Sequence, residues 1–463
     1  FYTIFKYFML LNSTFKNEIR LLWLLAWPVL IGQLATVGMS VADITMVGHF
    51  HKDELAAVSL GSSLWVIIMV TVVGVMFAVN TVVAHEVGAK NFDRIPQIMQ
   101  QSFWVAIGIG CVAWAILIAS TFIFDYLNMS QSVLENAKKF VYAISFGMPA
   151  IALYRTLYCY SASLNQTKPV MFIAIGALIF NVFLNWILIY GKLGLPQLGA
   201  VGCAVATAIS MWFMFFVMVF WVRFSKVYQP TYPFKKFKKP DLDIIRHILK
   251  IGVPIGLTYF IEVSTFCVIA LLIAHFGVIQ VSANQIALNL SSLLFMIPMS
   301  LGVAQITRVS QTLGENNFRL ARYISLLGIW LSFAFSSISV FLIIKFRHTI
   351  AAIYTSDPDV QKVAASLLLI VGIFQFSDGL QVIAASALRG YKNTFKPMII
   401  HLLAFYIFAI PLGYILAIAP DWPPFQLSQP LGVTGYWIGL TIGLTISALL
   451  QVTYLNHYSK KLL

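Results

Sequence analysis

Three carboxyl residues stand well inside apolar runs: Asp43, Glu262 and Asp378. The other thirteen of the sixteen acids fall in polar connections or at the ends of such runs. A charged carboxylate at membrane depth costs about 3 kcal/mol or more unless it is paired or hydrated. Acids kept there point to binding of an exchangeable cation or a proton. The structural alternative is a protonated acid hydrogen-bonded to a neighbouring helix. No Lys or Arg lies deep in the runs around Glu262 and Asp378, so their expected partners are neutral oxygens or a mobile cation.

A second constellation surrounds Asp43. Asn181 and Asn185 are four residues apart and share one helix face. Their carbonyl oxygens suit a hard cation beside a carboxylate, and Thr207 completes an oxygen shell. Asp43, Asn181, Asn185, Glu262 and Asp378 are thus the candidate ligands for a metal cation. The alternative role for Asn and Thr is hydrogen bonding between helices. Gln33, Asn284, Gln285 and Asn289 are polar positions that line a cavity or bond between helices. Phe374 sits four residues before Asp378, placed to meet a cation or an aromatic compound, or simply to pack. Asp357 and Asp359 could attract cations, but Asp357 followed by Pro358 reads as a helix cap. Pro28, Pro149, Pro254 and Pro298 fall inside apolar runs, where each removes a backbone hydrogen bond and bends or hinges the helix.

The elements that must hold these residues are membrane helices. The chain has 463 residues, 60% hydrophobic and 10% charged, whereas a soluble domain carries roughly 25% charged residues. An apolar stretch of about 20 residues spans the bilayer core. The runs are too long for the roughly 10-residue alternating segments of a barrel. Spans are predicted at 20–47, 55–82, 97–122, 137–160, 169–190, 200–224, 244–274, 281–306, 320–345, 361–386, 397–418 and 433–456. The fold class is all-α and polytopic, with twelve helices.

The net charge of +14 sits mostly in connections, above all at Lys235, Lys236, Lys238 and Lys239. That distribution reads as cytoplasmic loops and not as a nucleic-acid surface. With the N-terminus inside, 22 Lys and Arg fall on the cytoplasmic side and 7 on the other, which places both termini in the cytoplasm. Residues 1–225 form an N-terminal six-helix bundle, 226–243 a basic cytoplasmic linker and 244–463 a C-terminal six-helix bundle. The first span is too long for a cleavable leader and is expected to remain. The start is expected at Met9 or upstream of Phe1.

The halves repeat. A shift of 226 residues brings Pro28 onto Pro254, Gly88 onto Gly314 and Asn91 onto Asn317. A shift of 228 aligns Lys168-Pro169 with Lys396-Pro397 and Asn165 with Asn393; one of 233 aligns Gly199 with Gly432. Six spans per half make the repeats parallel, with alternating access by rocking of two bundles as the expected motion.

Cys111, Cys159, Cys203 and Cys267 show no zinc spacing and read as packing residues. His85, His275 and His401 show no metal spacing either. No Walker A loop, catalytic triad or HExxH motif appears, so no enzyme and no cofactor is expected beyond a coupling ion.

The sequence resembles the multidrug and toxic compound extrusion (MATE) family, in its bacterial NorM branch. The likeness runs through nearly the whole chain. It is carried by Pro28 with Asp43-Ile-Thr-Met-Val-Gly48, Leu55-Ala-Ala-Val-Ser-Leu-Gly61, Asn181-Val-Phe-Leu-Asn185 with Tyr190-Gly191-Lys192, and Gly199-Ala-Val-Gly202-Cys203. In the second half it is carried by Glu262, Asn284-Gln285, and Asp378 with Leu388-Arg-Gly-Tyr-Lys392. The resemblance implies export of bulky, mostly cationic and aromatic drugs and dyes in exchange for sodium or protons. It implies a monomer in the bacterial inner membrane. Glu262 and Asp378 would be the cation-responsive acids of the C-terminal lobe; Asp43, Asn181, Asn185 and Thr207 would form the N-terminal site. Phe374 departs from relatives with Tyr there, so no phenol oxygen is available. The rival readings are a lipid-linked precursor flippase of the same superfamily, with Arg155 and Arg308 as its few deep basic residues, and a non-transporting membrane receptor.

Overall fold

The computed structural model describes residues 12–126, 129–234, 238–418 and 430–463. Met9, Lys235 and Lys236 lie outside the described residues. Twelve helical spans long and apolar enough to cross a membrane follow one another: α1 (Phe15–Gly48), α2 (Glu54–Gly88), α3 (Ile95–Tyr126), α4 (Gln131–Ser163), α5 (Lys168–Tyr190), α6 (Gly199–Phe224), α7 (Leu242–Phe276), α8 (Val278–Gly314), α9 (Phe318–Tyr354), α10 (Pro358–Gly390), α11 (Phe395–Ile418) and α12 (Val433–Lys461). No strand occurs among the described residues. The protein is an all-α, multi-pass membrane protein.

Each predicted span is present, and most extend beyond the apolar run that announced them. Hydrophobicity stops where lipid stops, but helical hydrogen bonding does not. Thus α8 has 37 residues, about 55 Å at 1.5 Å per residue, against about 30 Å of hydrocarbon. Large apolar side chains such as Trp23, Phe216, Phe220, Ile338 and Phe341 are exposed. In water these would be liabilities; against lipid tails they are well solvated.

The chain gathers into two compact units, Trp23–Phe260 and Phe1–Leu22 with Ile261–Leu463, called here the N-terminal and C-terminal units. In the N-terminal unit, Gly252 and Gly256 of α7 lie against α2. A Cβ on Gly252 would stand 2.5 Å from the Val75 carbonyl oxygen, and one on Gly256 would stand 2.9 Å from that of Thr71. Small residues four apart allow this backbone approach in lipid, where packing, and not water exclusion, holds helices together. In the C-terminal unit, Gly439 of α12 serves the same end, its absent Cβ being 2.5 Å from Gly413 Cα. Here α11 contains a π-helical turn, Leu403–Ala409, whose Ala409 carbonyl would be 2.7 Å from that Cβ.

The duplication is written into the turns. Lys90 and Asn316 both have φ 59°, and the bonds Asn91 N to Glu86 O and Asn317 N to Thr312 O are both 2.9 Å. These pairs are 226 residues apart. Gly199 and Gly432, 233 apart, have φ 54° and 57°. The turn after α4 corrects the register slightly: left-handed Asn165 matches Lys392 and not Asn393, because the second half carries one extra residue before its Lys-Pro pair.

Of the four internal prolines, Pro149 alone accompanies a break. Among the described residues, α4 is interrupted at Phe146, where Pro149 lacks the N–H that would bond the Ser145 carbonyl. Pro28, Pro254 and Pro298 lie within continuous helix.

The glycine contacts give a direct test. Gly256→Val should lower the unfolding temperature of the purified protein, since overpacking costs about 1–3 kcal/mol. Gly176→Ala should be neutral or stabilising, because a Cβ there meets nothing within 4 Å and helical Gly is unfavourable relative to Ala. Equal unfolding temperatures for the two variants would refute the close α2–α7 packing.

Candidate functional site

In the N-terminal unit, three spans converge on Asp43 of α1. Asn185 Nδ2 donates to Asp43 Oδ1 at 2.5 Å and to Asn181 Oδ1 at 3.1 Å. Asn181 Nδ2 donates to Thr207 Oγ1 at 3.4 Å, and the Thr207 hydroxyl donates to Asp43 Oδ2 at 2.9 Å. The ring closes because Asn181 and Asn185 lie one turn apart on α5, facing Thr207 on α6. Tyr190 Oη donates to the Met46 carbonyl at 2.9 Å, fixing α5 to α1 nearby. Both asparagines are fully buried, yet Asn185 Oδ1 has no hydrogen-bond partner.

Cys203, one turn before Thr207 on α6, faces the same cavity as Asp43 and feels its charge. It was expected to be a packing residue, and the four-residue spacing to Thr207 was the signal available in the sequence. Asp43, Cys203 and Thr207 line a cavity of about 210 Å³. Its wall includes Met39, Met69, Met211 and Met214, flexible and polarizable side chains that adapt to irregular apolar shapes. Trp65 Nε1, on the same wall, is a buried donor without a partner. Gln33 is half-buried on α1 and does not join the ring.

The C-terminal unit treats its acids differently. Asp378 of α10 is 3% exposed and feels the charge of Glu262 on α7. Among the described residues, neither carboxyl has a hydrogen bond or ion pair of the kind that surrounds Asp43. Two negative charges that feel each other in a poorly screened surrounding repel; neutralising either one removes that repulsion. The expected partners were neutral oxygens or a mobile cation, but Arg389 at the end of α10 also acts on Glu262. Arg389 acts as well on His401 of α11, which is fully buried. Gln381 and Gln451 approach its two ring nitrogens, each at 3.1 Å.

The remaining candidates separate. Asn284 Oδ1 accepts from Trp437 Nε1 at 2.9 Å, a bond between helices. Phe374 is 2% exposed, edge-on to Phe266 and Trp437 at 6.2 and 5.5 Å, and is core. Gln285 and Asn289 line a separate cavity of about 440 Å³ with Tyr354 and Asp357. Asp357 is the expected cap: its Oδ1 accepts from the Asp359 and Val360 amides at 2.9 and 3.4 Å.

The MatE family model matches residues 28–187 and again 254–415, so one family unit is found twice, starting 226 residues apart. The chain belongs to the MatE family. Among relatives of MatE type, multidrug resistance protein PmpM of Pseudomonas aeruginosa is 38% identical over 447 residues, covering 96% of this chain and 93% of that protein. A probable multidrug resistance protein NorM of Acinetobacter baylyi is also 38% identical, covering 97% and 98%. The solved structure of the eukaryotic MATE transporter AtDTX14 shares the fold with a TM-score of 0.85 at 20% identity, over 97% of this chain and 98% of that one. A MATE structure in the bent conformation gives 0.86 at 19% identity, over 96% of each chain.

Glu54 explains one MatE-like motif of this chain. Its carboxylate accepts from Asn136 Nδ2 at 2.8 Å and from the Ala200 amide at 2.7 Å. Gly199, at positive φ, leaves the room: a Cβ there would be 2.8 Å from Glu54 Oε2.

The two deep arginines have different surroundings. Arg308 forms a two-pronged ion pair with Glu18, from Nη2 to Oε1 at 2.8 Å and Nε to Oε2 at 3.2 Å. Both residues belong to the C-terminal unit. Arg155 instead has its guanidinium carbon 4.9 Å from the Phe77 ring centroid and 4.2 Å from that of Tyr158. Each ring contributes up to about 2 kcal/mol to a desolvated cation, whereas burying the charge costs several kcal/mol.

Breaking the Arg308–Glu18 pair should be severe. Glu18→Ala leaves a largely buried guanidinium with only Gln311 to accept from it, a loss of about 3 kcal/mol, while Asp125→Ala removes the more exposed Lys138–Asp125 pair at about 0–1 kcal/mol. Denaturant unfolding in mixed micelles should show that order, and the reverse order would contradict the burial of the pair.

Proposed function

We propose that the protein is a multidrug efflux antiporter, exporting bulky, mostly cationic aromatic compounds in exchange for sodium ions or protons. The observation that carries the ion-coupled reading is the Asp43 ring with its unpartnered Asn185 oxygen. A buried acceptor without a donor is costly, and a hard cation is the kind of ligand that such an oxygen and a carboxylate accept together. Turning the Asn185 amide would offer Oδ1 in place of Nδ2, beside oxygens of Asp43, Asn181 and Thr207. The chemistry of the donor set therefore fits sodium, and Asp43 alone suffices for a proton. The multidrug reading is supported by the names of the relatives, and by a cavity that joins apolar, adaptable walls to one carboxylate.

The exchange runs by alternating access. An ion favours one state only through unequal affinity for the two. Asp43 in one unit, and Glu262 with Asp378 in the other, supply charges whose neutralisation differs between states. In this reading the chain is a monomer in the bacterial inner membrane with both termini in the cytoplasm. A lipid-precursor flippase fits less well, since Glu18 already neutralises one of its two candidate phosphate-binding arginines. A receptor gives no role to three intramembrane acids.

Proteoliposomes loaded with a cationic dye test this under separately imposed sodium and pH gradients. Asp43→Asn, Glu262→Gln and Asp378→Asn should each lose gradient-driven efflux by about tenfold or more, the scale expected when a buried charge that biases the two states is removed. Full efflux in all three variants would sink the assignment.

A further inference from the structure

The charge on Arg155 has no place in the cation sites. Arg155 lies on α4 with 8% exposure, its guanidinium over Phe77 of α2 and Tyr158 of α4. Phe77 is backed by Tyr259, the ring centroids 6.1 Å apart at 23°. All of these residues belong to the N-terminal unit.

Aromatic rings neutralise a guanidinium only from above and below. Its N–H groups point outward in its own plane, where they need acceptors. Arg155 Nε is fully buried and has no partner. The ion pairs found among the described residues do not include Arg155. Its charge acts on Tyr154, Tyr158 and Cys159, neutral groups that offer it no counter-charge. A second donor is stranded in the same place: the Tyr158 hydroxyl is buried with no hydrogen-bond partner. Thr81 Oγ1, one turn along α2 from Phe77, is likewise buried and unpartnered. A buried cation with an unused donor, stacked on a tyrosine whose hydroxyl is also unused, is the inverse of the Asp43 ring. It calls for an acceptor that carries negative charge.

We propose that Arg155, with the Tyr158 hydroxyl beside it, binds a small monovalent anion: a carboxylate group of a transported compound, or chloride. The planar fork of arginine matches a carboxylate with two parallel hydrogen bonds, while chloride offers charge without that geometry. Such a site would let a unit that holds a cation at Asp43 also accept molecules carrying both signs of charge.

The test is a binding measurement, so its outcome is separate from whether ions drive transport. The purified full chain in lipid nanodiscs, in the sodium salt of a bulky sulfonate, is titrated with benzoate and separately with chloride at constant ionic strength. Thermal unfolding is followed, because a ligand that binds the folded state alone raises the unfolding temperature saturably. The expected result is a saturable rise. Saturation by benzoate at about tenfold lower concentration than by chloride identifies the carboxylate source, since only the carboxylate matches the fork; the reverse order identifies chloride. Arg155→Gln should abolish the rise. Arg155→Lys keeps the charge but loses the fork and flat face, and should weaken benzoate about tenfold; Tyr158→Phe should weaken both anions. These two variants carry the test if Arg155→Gln does not fold. No saturable rise with either anion would mean that water alone serves the guanidinium and would overturn the site. An unchanged rise in Arg155→Lys and Tyr158→Phe would overturn it equally.

Discussion

A polar group in hydrocarbon finds no solvent, so its partner must come from the protein or from something that enters it. This constraint governs the molecule at every level. It makes every membrane span helical. It tolerates the break at Phe146 in α4 and the π turn in α11 where other helices pack against them. It pairs Arg308 with Glu18 in a nearly buried two-pronged contact. Where the rule is met from within, the residues are structural. Asn185 Oδ1 and Arg155 Nε are among the buried polar atoms that meet no partner within the protein, and in the two proposed sites these two take a partner from outside.

The repeat shows how far duplication extends. Turn geometry is reproduced closely, down to the left-handed residues Lys90 and Asn316 and the glycines Gly199 and Gly432. The chemistry is not. At the 226-residue offset Asp43 corresponds to Ile269, a core residue of the C-terminal unit, and Glu262 corresponds to Thr36, on the wall of the Asp43 cavity. Turns are conserved between the halves because a changed turn would shift whole helices. A single inward-facing side chain can change while its helix stays in place.

The same distinction decides what the sequence could tell. Spans were legible because hydrophobicity is summed over about 20 residues, and the repeat because its punctuation is Gly, Asn and Lys-Pro. The Asp43 ring was legible because an acid in an apolar run is rare and Asn181 and Asn185 share a face at helical spacing. Periodicity orders neighbours along a helix and says nothing of neighbours across one. Hence the action of Arg389 on Glu262, the Trp437 bond that occupies Asn284 and the enclosure of Phe374 were out of reach. Cys203 was within reach, being one turn from Thr207, but its small apolar character hid it. The one-residue slip that matches Asn165 with Lys392 was hidden by the identity of Asn165 and Asn393: residue type misled where backbone conformation decides.

The two units also hold negative charge by different physics. Both oxygens of Asp43 accept from neutral donors, and those donors are held by each other, so the ring stabilises the carboxylate while closing it in. A cation that displaces the Asn185 amide must repay the lost hydrogen bond with direct coordination, which favours a small, hard ion over a diffuse one. Glu262 and Asp378 have the opposite balance: mutual repulsion, relieved in part by Arg389, with no such ring to satisfy them. In the proposed exchange, a proton arriving there would remove repulsion without displacing such a ring. In the proposed exchange the N-terminal ring selects by coordination and the C-terminal pair by charge. The sequence of the halves permits this because a shared backbone can carry an acid at position 43 without carrying one at its counterpart, Ile269.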